Sequence, residues 1–201
     1  MTDTAPVGQP ALRKDAARNR RQIIDAARQL MADGRPVALN AVAQAADVGV
    51  GTVYRHFATP ESLLEALAAE QFTALIDHAE QAAGAADGPH ALRAFLRTAL
   101  TAYVQDDAFA AAAIDPHPTT AAVRELRQRL QGRLGDLVTR VADDGGLHPA
   151  LDAADVLLLI CGVGFAVRHA AGDDPGRPDR YLDALLDGVF TAPADDRGTA
   201  A

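Results

Sequence analysis

The residues able to do chemistry in this chain fall into two sets. The first is scattered. Six histidines, His56, His78, His90, His117, His148 and His169, never stand at H-x-x-x-H spacing, and Cys161 is the only cysteine. A metal site needs closely spaced ligand pairs, so no metal and no cofactor are expected. Asp106-Asp107 and Asp143-Asp144 lie at helix ends and read as solvated caps. No nucleophile, base and acid come together, which argues against an enzyme. Gly162-Val163-Gly164 lacks the third glycine and the preceding strand of a dinucleotide loop. The second set is compact. Gly49 to Phe57 reads GVGTVYRHF. It crowds a hydroxyl, a phenol, a guanidinium and an imidazole onto a glycine-flanked stretch. Gly49 can cap the helix that follows and expose its backbone N–H groups to a phosphate.

These groups need elements to hold them. Ala and Leu dominate, aromatics are only 4%, and helical periodicity runs through most of the 201 residues. Ile23, Ala27, Leu30 and Met31 mark a first helix that stops at Asp33-Gly34. Val42, Ala43 and Ala46 mark a short second one, and Val50, Val53 and Phe57 a third. The turn between them, Asp47-Val48-Gly49, has helix-turn-helix spacing. Asp47 falls where that turn needs a left-handed backbone, which Asp tolerates better than most residues. Thr59-Pro60-Glu61 then reads as N-cap, first position and first-turn acid of a long helix.

Breaks at 84–89, 115–118, 144–146 and 173–178 separate the later helices. Leu92 to Val104 and Val123 to Val141 carry apolar stripes. Leu151 to Ala171 is apolar almost all round, and Tyr181 to Phe190 closes the fold. The fold class is all-α with about nine helices: a three-helix head and a helical C-terminal domain. The expected organisation is a disordered arm at 1–12, a helix-turn-helix domain at 13–58, a larger helical domain at 59–191 and a disordered tail at 192–201.

Charge divides the chain the same way. The net charge is -8, yet residues 1–58 are net basic and the remainder strongly acidic. A basic head on an acidic body suits a head that meets a polyanion. No apolar signal segment opens the chain. The apolar run at Val156–Val167 is too short to cross a bilayer, and a single cysteine fits a reducing cytosol, so a cytoplasmic protein with no membrane partner is expected.

The segment from Gln22 to Leu67, with IIDAARQLM, then VAQAADVGVGTVYRHF, then TPESLLEAL, resembles the TetR-like family of bacterial transcriptional regulators. The G-x-G-T-x-Y-x-H-F pattern from Gly49 to Phe57 carries most of that resemblance. The late Asp152–Gly162 stretch looks like one of its subgroups. The resemblance implies a homodimer that binds a double-stranded DNA operator through the head and an effector through the body. It places Gly49, Val50, Gly51, Thr52, Tyr54, Arg55 and His56 on or beside a recognition helix. Val50 and Thr52 would reach base edges, Tyr54 and His56 phosphates, and Gly51 would permit close backbone approach. Thr59 would touch phosphate at the next helix start. Arg20 and Arg21, with Arg13, Lys14 and Arg18 in a flexible arm, would reach phosphates or the minor groove. The sequence departs from the family pattern twice. Ala38 stands where Thr or Ser usually caps the second helix, at a cost of about 1 kcal/mol, so Asn40 would cap if the helix begins later. Pro60 stands where Lys is common.

For the effector, the expected contacts are Phe72, His78, Phe95, Tyr103, Phe109, His117, Phe165 and His169, with Thr98, Arg97 and Arg168 as further polar candidates. The acidic body leans toward a neutral or cationic apolar ligand unless Arg97 or Arg168 points inward. Dimer contacts are expected from 151–171 and 179–191. Ligand would tilt the helix from Pro60 to Ala82 and release a near-palindromic operator. The alternative is a constitutive DNA-binding dimer without a working pocket. Cys161 reads as a buried small hydrophobe.

Overall fold

The computed structural model describes residues 9–190 except 173, with side chains from Lys14 onward. The described residues form nine helices and no strand: α1 (Gln9–Ala32), α2 (Leu39–Ala45), α3 (Val50–His56), α4 (Pro60–Ala83), α5 (Gly88–Gln105), α6 (Asp107–Ile114), α7 (Ala121–Asp143), α8 (Ala153–His169) and α9 (Arg177–Val189). One isolated antiparallel bridge joins Leu147 to Phe190. Two compact units divide after Leu67, within α4.

In the N-terminal unit, Ile23, Ala27 and Leu30 of α1 bury against Leu39, Val42 and Ala43 of α2 and Val53 of α3. Gly34 ends α1 at φ +68°, the left-handed position that glycine occupies at least cost. The turn between α2 and α3 carries Asp47 at φ +51°, the left-handed backbone its sequence position calls for. α4 starts on a reciprocal cap. Thr59 Oγ1 accepts from the Ser62 N–H (3.2 Å), and Ser62 Oγ accepts from the Thr59 N–H (3.3 Å).

Two expectations change in this unit. α1 begins at Gln9, so residues 9–12, placed in an arm by the sequence reading, are helical, and Lys14, Arg18, Arg20 and Arg21 also ride on α1. Ala11, Leu12, Ala16 and Ala17 are strong helix formers, and Pro10 sits in the first turn where its missing N–H costs nothing. Arg18 turns to Asp15 at 3.4 Å. The arm at 1–8 and the tail at 192–201 lie outside the described residues. Asn40 is the second residue of α2, and Ala38 is the N-cap, with no side-chain bond. Asn40 therefore does not cap.

The C-terminal unit is built on α5. Its buried stripe includes Leu92, Phe95, Leu96, Ala99 and Tyr103. Asp87 caps α5 through the His90 N–H (2.9 Å), and Asp106 caps α6 through the Phe109 N–H (2.8 Å). Asp152 and Asp155 form a capping box on α8. α8 crosses α5 closely because Gly164 lies against Tyr103. A Cβ at 164 would stand 2.9 Å from Tyr103 Cε1 and closer still to Cδ1. Leu182, Leu186 and Val189 of α9 turn inward, as does Phe190 just beyond it. Arginines tie the helices together. Arg140 of α7 donates to the Ala82 and Ala83 carbonyls at the end of α4. Arg97 of α5 holds Asp179 and Asp183 of α9, each at 2.8 Å.

Candidate nucleic-acid interface and ligand cavity

α3 is short, and the core takes only Val53 of it, with Phe57 just beyond. Val50 (45%) and Tyr54 (51%) are exposed, one turn apart, and so are Gly51 and Arg55. Thr52 and His56 are half-buried at the edges of that face. Gly49 is the N-cap of α3 and has no side chain to offer. The first N–H groups of α3 therefore start from a bare backbone, the arrangement that suits phosphate. Gly51 has ordinary helical backbone and open space around it. Nothing in the fold requires glycine there, although glycine costs a helix about 0.5–1 kcal/mol relative to alanine.

The polar groups are partly pre-positioned. Arg55 Nε donates to the Gly51 carbonyl (3.1 Å) and Nη2 to Thr52 Oγ1 (3.1 Å). Arg20 stacks over the Phe57 ring at 5.3 Å, which holds its charge beside the C-terminus of α3. Arg21 is exposed on α1 and Asn40 on α2. Thr59 Oγ1 accepts the cap bond from Ser62, yet its hydroxyl proton stays available to donate.

In the C-terminal unit a cavity of about 40 Å³ opens among α4 to α8. Four of the expected ligand contacts, Phe72, Phe95, Tyr103 and Phe109, line it. Phe72 and Phe109 meet edge to face at 4.8 Å. The other four expected contacts lie elsewhere. Phe165 is exposed and stacks on His169 at 4.0 Å, on the outer face of α8. The inner face is filled by Val156, Ile160 and Gly164, and Phe165 lies one residue, about 100° of helix, beyond it. His117 is exposed in the loop after α6, where its N–H donates to Asp115 Oδ1 (2.8 Å). His78 lines a separate open groove with Ala91, Ala94, Phe95 and Thr98. Thr98 spends its hydroxyl on the Ala94 carbonyl.

Neither arginine singled out from the sequence lines the cavity. Arg97 is taken by Asp183 and Asp179, which raise its pKa. Arg168 is taken by Asp107 and by the carbonyls of Tyr103 and Val104. The polar wall comes instead from Arg127 and Gln131 of α7, with Cys161 of α8. Arg127 and Gln131 are one turn apart, bordering the apolar stripe of Leu130 and Leu134. That bordering position was the available signal. Cys161 is half-buried, and burial pushes its thiol up, offset in part by the Arg127 charge. Burial raises Tyr103 too.

The outside of the C-terminal unit is apolar in one region. Leu158 is 70% exposed, and Leu159, Gly162, Phe165 and Ala166 share its side of α8. Tyr181 of α9 is also exposed. Among the described residues no cluster of His, Cys, Asp and Glu could hold a metal ion. No helix there is long and apolar enough to cross a membrane.

Comparison with known proteins agrees with both halves. Residues 23–67 match the family described as bacterial regulatory proteins, tetR family, and residues 87–190 match the SbtR-like transcriptional regulator C-terminal domain. No curated protein matches the chain. A TetR transcription regulatory protein from Mycobacterium vanbaalenii is similar in structure, with 26% identity and a TM-score of 0.53 over 90% of this chain and 99% of that one. FadR from Bacillus subtilis, solved with stearoyl-CoA, has 20% identity and a TM-score of 0.59 over 84% of this chain and 98% of its own. RolR, solved with resorcinol, has 21% identity and a TM-score of 0.59 over 88% of this chain and 89% of its own. With its helix-turn-helix head and its helical C-terminal domain both matched, the chain belongs to the TetR family of DNA-binding transcriptional regulators.

Proposed function

We propose that this protein is a homodimeric repressor, released from a near-palindromic operator by a small, largely apolar ligand. The observation that carries the DNA half is the outer face of α3, where Val50, Gly51, Tyr54 and Arg55 are all exposed around a single buried Val53. In this reading Val50 and Thr52 face bases. Tyr54, His56, Thr59, Asn40, Arg20 and Arg21 face phosphates, and the bare backbone at Gly49 and Gly51 lets the DNA come close. The outer side of α8, with Tyr181 of α9, supports dimerisation, because a lone domain rarely leaves such residues together in water. A dimer sets two recognition helices about one DNA turn apart.

The cavity supports the ligand half. Its volume of about 40 Å³ is smaller than a ligand of even one ring, so binding must enlarge it. A ligand that fits only an enlarged state favours that state by its differential affinity. α4 carries Phe72 and Leu75 on the cavity wall, and the same helix begins at Pro60 beside the head. Its displacement would alter half-site spacing. The small volume equally favours a second reading, a constitutive dimer whose pocket is filled by side chains.

One experiment tests the DNA reading: selection of operators from fragmented genomic DNA by the full-length protein at two salt concentrations. A recovered palindrome whose binding weakens with salt is expected. Failure to enrich any site overturns the reading. Operator affinity that stays constant across a broad ligand panel favours the constitutive dimer.

A further inference from the structure

The cavity wall carries a cation, Arg127, that no carboxylate among the described residues matches. Arg97, Arg133 and Arg168 each face a carboxylate of this chain. Arg127 has none within ion-pair distance among the described residues. Its bonding partner is the backbone carbonyl of Asp115, at the end of α6. A guanidinium has five N–H donors, so most of this fork is unspent. Gln131, one turn along α7, offers an amide beside it. The rest of the wall is Leu75, Leu96, Leu130, Leu134 and the aromatic rings, with Tyr103 and Cys161 as its weakly acidic groups.

Resting on the ligand-responsive reading above, we infer that the effector is a small apolar carboxylate whose head group is selected by Arg127. The guanidinium fork matches a carboxylate in plane with two parallel bonds. A cation would meet Arg127 as a like charge. A phosphate would bring a dianion and its tight hydration against a wall of hydrocarbon. Burial raises Tyr103 and Cys161, so both stay protonated at neutral pH and put no negative charge beside the incoming carboxylate. The acidic surface of this unit would otherwise repel an anion, which makes the unmatched arginine the discriminating group. A bound carboxylate also competes with the Asp115 carbonyl for Arg127. It thereby loosens the junction of α6 and α7 at the cavity edge, where the site has to expand.

The test is calorimetric titration of the full-length protein with three probes that share one ring: phenylacetate, phenylacetamide and 2-phenylethylamine. Phenylacetate should bind about tenfold tighter than the amide, because a charged hydrogen-bonded pair replaces a neutral one. The amine should bind weakest. Arg127→Gln should bring acid and amide level. Arg127→Lys, which keeps the charge, should keep a preference for the acid and shows that the site survives substitution. Equal binding of amide or amine by the unmodified protein overturns the inference. So does an acid preference that persists in R127Q, or no heat from any probe at millimolar concentration. The readings beneath the inference fall on separate results: the ligand-responsive one on operator affinity that stays constant across a broad ligand panel, and the DNA-binding one on failure to retain palindromic DNA.

Discussion

α3 and α8 both turn a large part of their surface outward, with opposite chemistry. α3 shows a phenol, a guanidinium and bare backbone around one buried valine. α8 shows Leu158, Leu159 and Phe165. A polar face costs nothing in water and waits for a partner with charge. An apolar face is unfavourable in water and needs a cover. The same fold thus exposes two faces of opposite chemistry, one suited to a salt-sensitive contact and one to a contact driven by area.

The largest test of that contrast lies on α8. A double substitution, Leu158→Asp with Phe165→Asp, should convert a dimer to monomer by analytical ultracentrifugation. Both positions are exposed in the protomer, so its own helicity should stay intact. A central interface cluster is worth about 2 kcal/mol or more, and a two-fold interface counts each change twice. Operator affinity should fall by about a hundredfold or more as two half-sites become one. A dimer that survives both substitutions would move the interface off α8.

Tyr54→Phe is the matching change on α3. It removes one hydroxyl from an exposed ring, so thermal stability should move by less than about 0.5 kcal/mol. Operator affinity should fall about tenfold to a hundredfold, the worth of one hydrogen bond to a charged oxygen. The loss should be uniform across operator variants, since a phosphate contact carries no sequence. Loss confined to certain bases would place Tyr54 in the groove instead.

The two surfaces also differed in how much the sequence disclosed. The head was legible because its motif is contiguous: Asp47 to Phe57 holds the turn, the buried Val53 and the exposed groups together. Asp47 at φ +51° and the Thr59 cap could be placed from residue type alone. The cavity is assembled from five helices, and periodicity says which side of a helix is apolar, not which neighbour it meets. Phe165 illustrates the limit. On a helix apolar all round, no pattern separates the side facing α5 from the side facing outward. Arg127 illustrates the converse: its place beside the apolar stripe was the signal, but a charged side chain there is also the ordinary pattern of a solvent-facing helix edge. Arg97 and Arg168 were candidates by charge, and carboxylates far along the chain had claimed both.

Three glycines sharpen the contrast by smaller amounts. Gly164→Ala drives a methyl into the Tyr103 ring and should destabilise the fold by about 1–3 kcal/mol in chemical denaturation. Gly51→Ala and Gly162→Ala meet open space. Each should stabilise the isolated protomer by up to about 1 kcal/mol through helix propensity. Gly51→Ala should at the same time weaken operator binding, and Gly162→Ala should weaken the dimer. Stabilisation without either loss would show those glycines to be idle.

The smallest effect lies in the cavity and depends on pH. Burial raises the Cys161 thiol above its ordinary value, and Tyr103 behaves alike. As pH rises past the ordinary thiol value, about 8.5, the unfolded chain loses its protons first. The folded state then binds more protons than the unfolded state, so stability falls with rising pH across that window. At neutral pH both states hold the proton and the term vanishes. Cys161→Ala should therefore flatten the alkaline limb of a stability–pH curve and leave the neutral value nearly unchanged, because alanine replaces a half-buried side chain. The Arg127 charge partly offsets the thiol's rise, so R127Q should steepen that same limb. A limb insensitive to R127Q would mean that the guanidinium points away from the cavity, and the head-group selection assigned to it would lose its geometry.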